Sequence, residues 1–139
     1  MKNNMQIWII DRHPVGWVAA FVALSWMGEY IHNRMELPQL SFLSPENSFL
    51  LLLAVILFIL WWKAPGSRIP TILLLVLGTV HLVGGGISVI PFKFLPFYPE
   101  QSWQHYFTHI LYGLAQLPLI IAMVWYVSGR SNREITDSR

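Results

Sequence analysis

Apolar residues occur in four long runs, with polar residues gathered between them and at a few regular positions within them. The runs extend from about Pro14 to His32, Pro45 to Trp62, Ile69 to Ile90 and Ser102 to Val127. Each approaches the roughly 20 apolar residues that a helix needs to cross a bilayer. Helix-start and helix-stop residues mark the ends. Ser44, Pro45 and Glu46 open the second run, Pro70 stands in the first turn of the third, and Gly129 follows the fourth. Lys63 to Arg68 predicts a tight turn. Asn33 to Ser44 and Pro91 to Gln101 predict longer loops, in which Pro38, Pro91, Pro96 and Pro99 block helix continuation. The prediction is an all-α integral membrane protein, a four-helix transmembrane bundle forming one domain over residues 1–139, with spans at about 14–32, 45–62, 69–90 and 102–127.

Composition supports this class. Of the 139 residues, 55% are hydrophobic and 12% charged, and there is no cysteine. Intrinsic disorder, a disulfide framework and any cysteine-based metal or thiol site are excluded. Asp11, Arg12, His13 and Pro14 interrupt the start and no small-residue cleavage site follows, which argues against a signal peptide. The formal charge of +2 is too small and too scattered for a nucleic-acid face.

Where that charge lies predicts orientation. Four spans put both termini and the Lys63 to Arg68 turn on one side. That side holds Lys2, Arg12, Lys63, Arg68, Arg130, Arg133 and Arg139, against Arg34 and Lys93 opposite. The excess places the termini in the cytoplasm. Glu36, Glu46 and Glu100 then fall in the outer loops. Trp61, Trp62, Trp103, Tyr106, Trp125 and Tyr126 near the span ends read as interfacial anchors.

Polar side chains inside a span usually face the protein interior or a cavity, because hydrocarbon penalises them. Ser25, Glu29 and His32 share one face of the first helix, and His81, Gly84, Gly85 and Ser88 one face of the third. His105, Thr108, His109, Tyr112 and Gln116 form a stripe along the fourth. The second helix is apolar throughout from Phe49 to Trp62, so it reads as a packing helix. At 1.5 Å per residue, Glu29, His32, His81, His105 and His109 fall in the outer half, while His13 lies at the inner edge.

One carboxylate and four imidazoles are a donor set for a transition metal, zinc or iron among them, rather than calcium or magnesium. The candidate ligands are Glu29, His32, His81, His105 and His109. Tyr112, Ser88, Thr108 and Gln116 are candidates to orient them. In a hydrolytic site Glu29 is the natural general base for metal-bound water. Two other readings stay open. One is a haem-binding electron carrier, with His81 and either His105 or His109 as axial ligands. The other is a structural or assembly subunit whose polar stripes fix helix packing, as a homodimer or in a membrane complex.

His81-Leu82-Val83-Gly84, the loop through Pro91, Pro96 and Pro99, and His105-Tyr106-Phe107-Thr108-His109 with Tyr112-Gly113 resemble the later part of the YjdF-type inner-membrane proteins. That family pairs a His-x-x-Gly segment with a downstream Asp-x-x-x-His-x-x-x-Gly helix. On this resemblance His81, Gly84, His109 and Gly113 carry over, and His105 stands where the family has an aspartate. The resemblance covers residues of about 75–120. It implies a membrane bundle with a histidine-containing site and does not specify a reaction.

Overall fold

A computed structural model of the chain describes residues 14–64, 67–93 and 99–137. The expected polar cap Asp11 to His13, Pro96, and the charges of Lys2, Arg12 and Arg139 lie outside the described residues. Every regular element described is helical: α1 (Pro14–Glu36), α2 (Pro45–Lys63), α3 (Arg68–His81), which continues as a π-helical turn over Leu82–Ile87, and α4 (Trp103–Asp137). α1 and α3 each pack against both α2 and α4.

Three stretches are long and apolar enough to cross a membrane: Pro45–Lys63, Arg68–Ile87 and Trp103–Gly129. α1 is less apolar, because its second half carries Glu29, Arg34 and Glu36. The outward faces of the other three helices are rich in exposed Leu, Ile and Val, including Leu52, Ile69, Val80, Leu114 and Ile121. Such a surface suits hydrocarbon rather than water.

The polar and apolar interiors are segregated. Val18, Val22, Ala54, Leu57, Trp61, Leu74, Leu77, Leu119 and Met123 form an apolar core toward the end that carries the α2–α3 turn. At the other end, where the loops around residues 37–44 and 91–102 lie, the buried polar side chains are Glu29, Asn47, His81, Thr108 and His109, accompanied by buried Tyr112 and Val89. We call these the turn end and the loop end.

Three helix bounds differ from those expected. α1 runs a turn beyond His32 to Glu36, because Asn33 to Glu36 contains no glycine or proline. α4 continues past Gly129 to Asp137. One glycine costs a helix only about 1 kcal/mol, and no proline follows it. α3 does not reach Ile90 as a regular α-helix. Its last stretch widens into the π-turn over the glycine triplet, where missing side chains tolerate irregular backbone. Trp61 is also corrected. It is not a lipid-facing anchor but is fully buried in the apolar core against Phe58 and Tyr126.

Candidate functional site

The first and last helices run antiparallel and meet along a ladder of polar side chains. Ser25 donates a hydrogen bond to the Gln116 side chain. Further toward the loop end, His32 Nε2 lies 3.3 Å from His109 Nε2. One turn beyond, His105 Nδ1 donates to Glu36 Oε2 at 2.8 Å. The steps of seven and four residues along α1 are matched by equal steps back along α4, so every rung presents the facing stripes of two regular helices.

Local structure holds the rungs in place. Ser102 caps α4, accepting the His105 backbone N–H at 3.2 Å. His109 Nδ1 donates to the Gly85 carbonyl. That carbonyl belongs to the last turn of the π-helical segment, where acceptors lack intrahelical donors and need one from elsewhere. His32 Nδ1 lies 3.1 Å from Asn33 Oδ1. Asn33 Nδ2 donates to Asn47 Oδ1 at 2.9 Å, and Asn47 Nδ2 donates to the Ser41 carbonyl at 2.7 Å. The Tyr112 ring lies between two histidines, its centre 5.1 Å from that of His32 and 6.1 Å from that of His81.

The five expected ligands do not converge on one point. His32, His105 and His109 come together at the loop end, with the His105 and His109 ring centres 4.3 Å apart. Glu29 and His81 form a separate, deeper pair. His81 Nδ1 and Glu29 Oε2 are 4.0 Å apart, and neither atom has a hydrogen-bond partner. Among the described residues, the group of three whose donor atoms all lie within 4.8 Å of one another is Glu36, Glu100 and His105.

The expected orienting residues have mixed fates. Gln116 bonds Ser25, including its backbone carbonyl at 3.1 Å, and is fully buried. Thr108 donates to the Gln104 carbonyl at 2.9 Å and approaches Met35 Sδ. Both therefore tie helices together below or beside the imidazoles. Ser88 is turned back onto the Gly84 carbonyl at 2.5 Å, and Gly84 is exposed, so these two do not share the inward face of His81 and Gly85. The wider π-turn rotates them away from the face that a regular helix would give them.

Four residues of the site lie outside the sequence-derived set. Glu36 was legible: it stands four residues beyond His32 in the same spacing that links Ser25, Glu29 and His32. Asn33, Asn47 and Glu100 carried no comparable signal, because they reach the site from an adjacent face, another helix and a loop. No family model, curated protein or solved structure matches the chain.

Proposed function

We propose that this chain is a four-span protein of the bacterial inner membrane, with both termini cytoplasmic. In this reading it binds a transition-metal ion, zinc or iron being the leading candidates, at its outer face and uses it in a metal-dependent reaction. The observation carrying the reading is the meeting of three imidazoles, His32, His105 and His109, with the carboxylate of Glu36 between the first and last helices at the loop end. Imidazole and carboxylate donors suit such ions. A bound ion would supply Lewis acidity, polarising a carbonyl or activating water. Glu29, about one turn below His32, is the proton acceptor this reading assigns.

A haem group between His81 and a histidine of α4 has less support. The backbones of α3 and α4 come together beside these residues, so that a Cβ on Gly86 would lie 2.8 Å from Gly113 Cα. A macrocycle between them would require the helices to part.

Metal analysis of detergent-purified protein tests the reading. Stoichiometric transition metal in the wild type and its loss from a His105→Ala/His109→Ala variant are expected. A wild type that takes up none when supplied with zinc or iron would overturn it.

A further inference from the structure

Two ions could be imagined at the loop end: one at the mouth, among Glu36, Glu100 and His105, and one deeper, between His32 and His109. Hydrogen-bond directions distinguish them. The Ser41 carbonyl can only accept, so Asn47 must present Nδ2 to it and Oδ1 to Asn33. Asn33 must then donate through Nδ2 and present Oδ1 to His32. His32 therefore carries its proton on Nδ1, and a neutral ring has its lone pair on Nε2. The Gly85 carbonyl imposes the same state on His109 from the other side.

With both rings neutral, the two Nε2 atoms that lie 3.3 Å apart are both acceptors. Two lone pairs at that distance repel unless a proton or a metal ion lies between them, and a metal ion can hold both. The separation also has a specific meaning: two imidazole nitrogens bound at about 2.0–2.1 Å to one tetrahedral ion lie about 3.3–3.4 Å apart. Each ring meanwhile donates its Nδ1–H to a carbonyl oxygen, that of the Asn33 side chain or that of Gly85. Imidazoles bound to metals commonly donate their other N–H to a carbonyl or carboxylate in this way.

We infer that the ion of the proposed site is a nitrogen-preferring divalent transition metal seated between His32 Nε2 and His109 Nε2. Asn33, Asn47 and the Gly85 carbonyl act as positioning groups. Glu36 orients His105, and Glu100 is not a ligand. This inference rests on the proposed metal-binding function and specifies its seat. Two imidazoles leave the remaining tetrahedral positions open to water or a substrate oxygen.

Zinc titration with X-ray absorption on the loaded full-length protein tests it. The expected first coordination shell contains two imidazole nitrogens. His32→Ala should abolish tight binding, Asn33→Leu should weaken it by about 10–100-fold, and Glu100→Gln should leave it unchanged. Asn33→Leu is preferred to a change at Asn47, which is fully buried and holds the outer loop. Zinc that stays bound in His32→Ala but is lost in Glu100→Gln would overturn the inference while sparing the proposed function. A wild type that binds no zinc or iron would overturn both.

Discussion

The ring of Tyr112 occupies the space that a side chain on Gly85 would need. A Cβ built on Gly85 overlaps the ring, whereas one on Gly84 meets nothing within 4 Å. The same glycine offers its carbonyl to His109, and the same ring lies beside His32 and His81. Gly85 therefore sets both a ring position and a hydrogen bond at the site. Gly85→Ala is expected to cost about 1–3 kcal/mol through overpacking. Gly84→Ala should stay within about 0.5 kcal/mol of the wild type, as an exposed substitution does. Thermal unfolding in detergent measures both, and equal effects would contradict the packing described.

Glu29 and His81 give a second prediction. Both are buried, at 3% and 8% exposure, and the facing atoms of the pair have no hydrogen-bond partner. Glu29→Gln keeps the shape and removes the ionisable group, so stability should hold or rise, with metal content unchanged. Glu29→Leu should likewise hold or raise stability, because it removes a buried carboxylate whose Oε2 has no hydrogen-bond partner. Loss of metal from Glu29→Gln would instead place this carboxylate among the ligands.

Orientation can be tested with single cysteines, since the chain has none of its own. In intact cells, a membrane-impermeant thiol reagent should label Glu100→Cys. Lys63→Cys, at the turn end, should react only after the membrane is permeabilised. The reverse pattern would place the loop end, and the proposed site with it, in the cytoplasm.

Helix number and approximate position were legible because they depend on long apolar runs and strong breakers. The inward stripes of α1 and α4 were legible for a related reason: both helices are regular where they meet, so spacing gives the face. His81 and Ser88 show where that reasoning stops. Counting 3.6 residues per turn across the glycine triplet puts them on one face, but the π-turn changes the count after His81. The division of the five expected ligands into a loop-end group and a deeper pair was not legible either. It depends on how far along one helix another docks, and periodicity says nothing about that offset. Asn47 was missed for a different reason. It stands in the first turn of an otherwise apolar helix, and only the fold brings it beneath the loop around residues 37–44 and beside Asn33.

The imidazoles at the loop end come from opposite ends of the chain. His32 is 77 residues from His109, and Glu36 is 69 from His105. During synthesis α1 emerges before α4, so the completed site can arise only after α4 has been made. A chain interrupted before α4 would hold one imidazole of the three. The polar pair Ser25 and Gln116 then fixes the offset at which the late helix docks: slipped by one turn, α4 would set His105 opposite His32 and leave His109 facing Ser25's side of the seam. Metal capture would thus report completed assembly, because no nascent fragment contains the seat.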